Sequence, residues 1–174
     1  MPKLFKVSGH DIVEDRANAP FVNLADDDAA PPVGGVIVSL ARLRSEGGAL
    51  AQGDRPVGVR LPPEEPIEAI AGDLAGLAMV ALEFPKFRDG RALTAAALLR
   101  ERYGYKGEIR AVGDVLREQA YFMVRCGFDA FEPADDSTPQ TFARSAFRFH
   151  HVYQAAADDR QPAFVERAAA AQEA

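Results

Sequence analysis

The sequence FPKFRDGR at residues 84–91 opens the stretch that decides the fold, and CGFDAFE at residues 126–132 closes it. Between these ends lie a helical pattern, the strand-like segment EIRAV at residues 108–112, and a second helical pattern. Short joints that contain glycine separate these segments. An alternation of strand and helix with short joints is typical of a parallel α/β sheet.

Three earlier segments extend this pattern towards the N-terminus. Apolar runs at residues 36–40, 57–61 and 78–84 predict strands that are buried on both faces, as parallel sheets require. Helices are predicted between and after the strands, at residues 41–46, 64–71, 92–103, 115–125 and 139–157. The sequence therefore predicts an α/β fold of about five parallel β/α units. They would form an open, partial TIM-barrel-like sheet or a doubly wound sheet.

The chain divides into three parts by pattern. Residues 1–32 form an N-terminal extension, in which LFKV at residues 4–7 and FVNL at residues 21–24 predict short strands. An acidic stretch at residues 11–15 is predicted to join them. Residues 33–158 form the single α/β domain, and residues 159–174 form an alanine-rich tail that is helical or frayed.

Size and charge restrict the class of protein. The chain has 174 residues, which suits one domain with a real core, and a formal net charge of −6, which argues against a nucleic-acid binder. No apolar run approaches the roughly 20 residues that span a bilayer, and the N-terminus lacks a signal-peptide pattern. We therefore expect a cytoplasmic protein that binds neither nucleic acid nor membrane.

Few residues suggest redox or metal chemistry. Cys126 is the one cysteine, and its place near a helix C-terminus predicts a buried, unreactive thiol. Three adjacent carboxylates at residues 26–28 cannot converge on a calcium ion as spaced ligands do, so they predict a solvated loop. His150 and His151 are neighbours on a predicted helix and cannot face one metal together. No metal site and no cofactor are expected.

The carboxyl ends of parallel strands share one edge of a sheet, and that edge carries the ligand site in such folds. Five cations are predicted at or near it and suggest an anion-binding patch: Lys86, Arg88, Arg91, Arg110 and Arg117. Gly113 and Asp114 are predicted to lie at the site edge, with Asp114 as the N-cap of the helix that follows. Alternatively, the cations form structural ion pairs with nearby carboxylates.

Three residues in the predicted strands carry alternative interpretations. Glu83 ends the predicted strand at residues 78–84, and Glu132 ends a fifth predicted strand at residues 128–132. The two could act as a general acid and base, or could pair with arginines. Arg110 lies within an apolar strand, where an unpaired cation is costly. It faces a polar cleft beside one of these glutamates, or it lies on an edge strand in solvent.

The last predicted helix carries an aromatic set: Phe142, Phe147, Phe149 and Tyr153. These rings either cover a face of the sheet or form a docking or dimer surface. An open sheet also has edges that must be covered. The N-terminal extension could cover one edge and a second copy of the chain the other, so a homodimer is expected.

Three stretches resemble a known bacterial family: EFPKFRDGR at residues 83–91, LLRERYGYKGEIRAVGDV at residues 98–115, and RCGFDAF at residues 125–131. The family is a domain of unknown function, number 934, and the resemblance covers roughly residues 32–153. Its members are often labelled as oxidoreductases of sulfite reduction. The label implies assimilatory sulfate reduction as the process, and it assigns no catalytic residues.

The residues allow this label to be tested. A sulfite reductase uses sirohaem and an iron–sulfur cluster, which four cysteines typically hold, and this chain has only Cys126. No strand-to-helix joint has the G-x-G-x-x-G pattern of a dinucleotide site. The chain is therefore not itself the catalytic reductase, and whether it is an enzyme stays open.

Three functions remain. The first is an accessory protein of sulfite reduction, which binds a small oxyanion or a sulfite or phosphoadenylyl sulfate reductase subunit at the strand carboxyl edge. The second is a small β/α-barrel-like enzyme that acts on an anionic metabolite by carboxylate acid/base chemistry. The third is a non-catalytic protein-interaction module.

Overall fold

A computed structural model describes residues 3–15, 21–31, 33–50 and 55–172 of the chain. Within these residues, eight strands form one sheet. The strands are β1 (Phe5–Ser8), β2 (Asp11–Glu14), β3 (Phe21–Asn23), β4 (Gly35–Ser39), β5 (Val57–Leu61), β6 (Met79–Phe84), β7 (Glu108–Gly113) and β8 (Ala130–Phe131). The α-helices are α1 (Leu40–Leu50), α2 (Arg91–Glu101), α3 (Ala120–Arg125), α4 (Pro139–Ala146) and α5 (Ala163–Gln172).

The strands lie in the order β2-β1-β8-β7-β6-β5-β4-β3. Strands β3 to β8 are parallel and follow one another as they do in the chain, whereas β1 runs antiparallel to both β8 and β2. The α/β class is confirmed. The doubly wound alternative is wrong, because a doubly wound sheet reverses its strand order and this one does not. The count of five parallel units is also wrong, because the sheet is mixed and larger.

The N-terminal extension accounts for the additional strands. The acidic stretch predicted as a joint forms β2, which pairs with β1 through a turn at Gly9 with a φ of 62°. Aspartate and glutamate are uncommon in strands, so the pattern gave little sign of it. At this sheet edge the Asp11 carboxylate accepts a hydrogen bond from the Ile12 N–H at 2.7 Å. The predicted extension and tail both include positions outside the described residues.

One face of the sheet is covered by the helices and forms the main core. Alternate strand residues point into it, such as Val59, Leu82 and Phe131, and they are almost fully buried. Helix α4 adds Phe142, whose ring packs edge-on to Phe5 at 5.4 Å and tilted on Phe131 at 5.3 Å. Burial of each such side chain contributes about 1.5–3 kcal/mol.

The opposite face is concave, because the sheet curls into a half-barrel. The curl is evident from Phe21 on β3, whose ring centroid lies 5.8 Å from the guanidinium carbon of Arg110 on β7. Four strand spacings of a flat sheet would separate these two strands by roughly 19 Å. A smaller apolar cluster of Ile37, Met79, Ala81 and Val112 fills part of the concave face.

Several predicted helices differ from those observed. The segment predicted as helix 64–71 forms 3₁₀ turns at Ile67–Ile70 and Leu74–Gly76. The helix predicted from residue 115 begins as a 3₁₀ turn at Arg117–Gln119 and becomes α3. The helix predicted to reach residue 157 ends at Ala146. Beyond it, the Arg160 side chain donates hydrogen bonds to the carbonyls of Phe149 and His150, which a continuing helix would use internally.

Across the described ranges, no helix is both long and apolar enough to cross a membrane.

Candidate functional site at the carboxyl edge of the sheet

Residues 85–90 form a loop between β6 and α2, at the edge where the parallel strands end. We call this segment the edge loop. Lys86 and Arg88 project from it and are exposed, and neither forms an ion pair with any residue that the structure describes. Two cations of the predicted patch are therefore free to meet a ligand or a partner.

The main chain of Phe87, between these cations, is held from two directions. Its N–H donates to Asp114 Oδ2 at 2.7 Å, and its carbonyl accepts from Gln119 Nε2 at 2.9 Å. Gln119 is buried, and its Oε1 accepts from the Leu116 N–H at 3.0 Å, so both ends of its amide are used. The Phe87 side chain nevertheless remains 42% exposed. The edge loop thus presents an apolar side chain on a fixed backbone.

The predicted site-edge residues Gly113 and Asp114 support this loop. Gly113 has a φ of 94°, and a Cβ there would lie 2.4 Å from the Phe84 carbonyl oxygen, so only glycine fits. The Asp114 N–H donates to that same carbonyl at 2.7 Å. Asp114 does not cap the next helix as predicted, because its carboxylate binds the edge loop instead.

Arg91 and Arg117 each form an ion pair with a nearby carboxylate, so they do not add unpaired charge to that of Lys86 and Arg88. Arg91 Nη2 lies 2.6 Å from Asp89 Oδ2 and 3.0 Å from Glu64 Oε1. The side-chain hydrogen bond from Arg91 lowers the pKa of Asp89 below its ordinary value. Arg117 Nε lies 3.2 Å from Glu118 Oε1. For these two residues the structure shows the ion pairing that the sequence left as an alternative.

Arg110 lies on the concave face and is 1% exposed. Its Nη1 is 3.1 Å from Glu132 Oε1, and its Nη2 is 2.7 Å from Glu108 Oε1. A polar cleft beside a glutamate was one of the two predicted settings for Arg110, and Glu132 is that glutamate. With two carboxylates beside it, the guanidinium is neutralised within the fold.

Lys6 on β1 extends this network across the concave face. Its Nζ lies 3.1 Å from Glu108 Oε2 and 2.9 Å from Asp15 Oδ2. Burial lowers the pKa of Lys6, but hydrogen bonds and charge from Asp15 and Glu108 outweigh it, so the pKa is raised overall. The N-terminal hairpin is thereby tied electrostatically to β7.

Glu83 has a partner that the sequence did not suggest. Arg60 Nε on β5 lies 3.0 Å from Glu83 Oε2. Glu83 pairs in register with Val112, and the Glu132 N–H donates to Ala111, so Glu83 and Glu132 lie level on the concave face, two strands apart. That spacing is roughly 10 Å between their backbones. Each of the two glutamates thus forms an ion pair with one arginine.

The structure thus divides the predicted residues into three groups. Lys86 and Arg88 flank Phe87, which Asp114 and Gly113 support from the end of β7. Arg110 and Glu132 meet on the concave face, where Glu83 pairs separately with Arg60. Arg91 and Arg117 pair locally. Phe87 and Gln119 were missed as part of the site. An apolar residue between two cations in a loop is the signal that could have identified Phe87.

The described residues give little support for a metal site or for a reactive thiol. Within the described ranges, no group of three or more histidine, cysteine, aspartate or glutamate side chains could hold a metal ion. Cys126 is partly buried, and burial raises the pKa of its thiol, which disfavours the reactive thiolate.

The fold and the edge loop together define a small, open β/α half-barrel protein with a rigid cationic loop at the carboxyl edge of its sheet. The chain belongs to a bacterial family of proteins of unknown function, DUF934, whose profile matches residues 58–164. This match confirms the family resemblance, although it begins at β5 rather than near residue 32 and reaches into α5. No curated protein matches the chain.

Proposed function

We propose that this protein is a non-catalytic accessory protein of assimilatory sulfite reduction, which docks an acidic surface of a reductase subunit on its edge loop. The process comes from the label that members of the family often carry. The docking mode is supported by one observation: Phe87 is exposed between two unpaired cations while its backbone is fixed by Asp114 and Gln119.

Rigid presentation favours a binding role for this loop. An apolar anchor on a fixed backbone loses little conformational entropy on binding, so more of its burial energy is available as affinity. Aromatic anchors surrounded by polar residues are the usual centres of protein interfaces. Lys86 and Arg88 would steer an acidic partner and exclude a basic one.

The distribution of the other charges favours docking over catalysis at this edge. The five predicted cations do not converge: three of them have carboxylate partners, and Arg110 lies inside the concave face. An oxyanion site built from all five would require several of these pairs to break. The accessory protein is proposed to work in the cytoplasm as a homodimer.

The test is calorimetric titration of this protein with purified sulfite reductase and phosphoadenylyl sulfate reductase subunits. Lys86→Glu/Arg88→Glu and Phe87→Gln are each expected to weaken binding at least tenfold. Lys106→Glu is the matched control, because Lys106 is an exposed lysine that precedes β7 at the opposite edge of the sheet. Equal binding by all variants, or no binding of either subunit, overturns the docking proposal.

A small oxyanion is the alternative ligand for the same two cations. Thermal unfolding with millimolar sulfite, sulfate, phosphate or phosphoadenylyl sulfate tests it. A ligand at 100 times its dissociation constant stabilises the folded state by about 2.7 kcal/mol. A shift with one oxyanion that disappears in Arg88→Ala would favour the small ligand over the protein partner.

A second candidate function is carboxylate acid/base catalysis on the concave face. It is favoured by the level placement of Glu83 and Glu132, each of which uses one carboxylate oxygen for its arginine. An anionic metabolite could draw Arg60 or Arg110 away and leave a glutamate to exchange a proton. Binding of anionic metabolites that is lost in Arg60→Ala but kept in Arg88→Ala would support this candidate.

A further inference from the structure

Helix α5 is largely exposed. None of its described side chains is buried, and Phe164, Ala168 and Ala171 are exposed at helical spacing. It has 10 residues, whereas isolated helices shorter than roughly 12–15 residues are marginal in water. Such a helix gains most of its stability by packing an apolar face against something else, and the described part of one chain supplies little of that packing, because only Ala163, Val165 and Glu166 are partly buried.

Exposed aromatic side chains continue from α5 across the adjoining surface. We define the aromatic face as Phe122, Phe149, Tyr153 and Phe164, which are 53%, 49%, 85% and 65% exposed. Two of its members meet Tyr121, whose ring centroid lies 5.4 Å from that of Phe122 and 5.1 Å from that of Phe149. Towards α5, His151 Nδ1 lies 2.7 Å from Glu166 Oε2.

The aromatic face is large enough to supply more than half of one side of a standard interface. If each side chain offers roughly 200 Å², the exposed fractions correspond to roughly 500 Å² of aromatic surface. A standard interface buries roughly 800 Å² on each partner, and it is enriched in aromatic residues and arginine. Arg148 belongs to this surface as well, with its guanidinium carbon 4.9 Å from the Phe149 ring centroid and 5.3 Å from that of Tyr121.

The charges around the face indicate which partner it fits. Both signs are present next to it, since Arg148 contacts the rings of Phe149 and Tyr121 and Glu166 pairs with His151. A two-fold axis can bring the positive group of one such surface to the negative group of the other, whereas a strongly acidic or basic partner would meet some like charge.

We infer that a second copy of this chain covers the aromatic face, with α5 packed against the equivalent helix of the partner. This inference deepens the proposed homodimer by naming its surface, and it does not depend on docking of the reductase. It places the dimer on two members of the predicted aromatic set, Phe149 and Tyr153, which was one of the alternatives for that set, rather than at the open sheet edge.

Analytical ultracentrifugation of the full chain over micromolar to submillimolar concentrations tests the inference. The variants are Phe149→Gln, Tyr153→Gln and Phe164→Gln, which change exposed side chains and leave the main core untouched. Val22→Asp serves as the control for association through the free edge of β3, and Phe87→Gln as the control for the docking surface. Circular dichroism verifies that each variant folds.

We expect a wild-type dimer whose dissociation constant rises at least tenfold in each aromatic variant and is unchanged in Val22→Asp and Phe87→Gln. A wild-type monomer throughout the series would overturn the inference. A dimer that survives the aromatic variants, or that is lost in Val22→Asp instead, would overturn it too. Loss of reductase binding in Phe87→Gln with the dimer intact separates this result from the docking proposal.

Discussion

Arg100 and Arg88 lie at opposite edges of the sheet and differ in their contacts. At the amino edge, Arg100 donates to the carbonyls of Gly127, Tyr105 and Gly107 at 3.0, 2.6 and 2.9 Å, and it pairs with Asp129. At the carboxyl edge, Arg88 is exposed and has no ion pair with a described residue. Arg100 thus holds loops together at the amino edge, whereas Arg88 is free to contact a partner at the carboxyl edge.

This difference parallels the division between stability and function in β/α folds. Residues at the amino ends of parallel strands serve stability, and those at the carboxyl ends serve binding. In this protein the division can be measured, because each edge offers a variant of the same residue type. The substitutions that follow compare the two edges directly.

The largest effect is expected from Arg100→Ala. It would leave three carbonyls without their donor, and we expect a loss of about 2–4 kcal/mol in the free energy of unfolding. Arg88→Ala should change that free energy by less than about 0.5 kcal/mol, because it touches only exposed surface. Urea denaturation measures both. Equal destabilisation would contradict the contrast between the edges.

The glycines at the two ends of β7 give the next comparison. Gly113→Ala should cost at least about 2 kcal/mol, because it adds a clash with Phe84 to an unfavourable φ. Gly104 precedes β7 and also has a positive φ, of 61°, but a Cβ there meets nothing within 4 Å. Gly104→Ala should therefore cost only about 1 kcal/mol. Denaturation curves of both variants measure the difference in the free energy of unfolding. A larger loss in Gly104→Ala than in Gly113→Ala would contradict the importance of the close contact between Gly113 and Phe84.

Gln119→Ala should reduce the free energy of unfolding by about 1–2 kcal/mol, because it removes the donor to the Phe87 carbonyl and the acceptor of the Leu116 N–H. Faster hydrogen exchange at the Phe87 amide would show that the edge loop has loosened. Gln140→Ala on the exposed start of α4 is the matched control. If the exchange rate at Phe87 is the same in both variants, Gln119 does not fix the loop.

The smallest effects concern two carboxyl groups on either side of β8. Burial raises the pKa of Asp129, which precedes β8, above the ordinary 3.8. The proximity of Ser137, whose N–H donates to Asp135 Oδ1 at 3.0 Å, lowers the pKa of Asp135, which follows β8, below 3.8. Side-chain NMR titration should find Asp129 titrating at the higher pH, and the reverse order would contradict these environments.

The two groups also act oppositely on stability. Asp129 holds its proton more tightly in the folded state, so its contribution is present below pH 3.8 and falls as pH rises through its raised pKa. The contribution of Asp135 is present above 3.8 and is lost as pH falls through its lowered pKa. Comparing Asp129→Asn and Asp135→Asn with the wild type by denaturation between pH 3 and 7 measures both signs.

Apolar periodicity was sufficient to find the strands that carry the site. Segments 36–40, 57–61, 78–84 and 108–112 match β4 to β7 within a residue or two, because runs of β-branched residues have few other stable settings. The same argument failed for β2, whose sequence is acidic and which forms because β1 offers it a partner. A strand that forms because another segment pairs with it need not show an apolar pattern in its own sequence.

The side-chain partners were the least predictable part. Nothing near Glu83 in the sequence points to Arg60, and nothing near Arg100 points to the carbonyls that it binds. The early end of α4 has a similar origin, since Arg160, far along the chain, takes the carbonyls of residues 149 and 150. Each contact depends on the three-dimensional arrangement, whereas the helical period only reports which face is apolar.

The pairing of β1 with β8 has a consequence for how the chain folds during translation. Phe5 lies opposite Phe131, although β3 to β7 each pair with the strand that comes next in the chain. At about 5–20 residues per second, a ribosome needs roughly 6–25 seconds to make the residues between them. For that time the parallel strands can assemble one after another, while the first hairpin waits with Phe5 uncovered. Strands β1 and β2, which precede the parallel strands in the chain, are thus the last to find their place in the sheet.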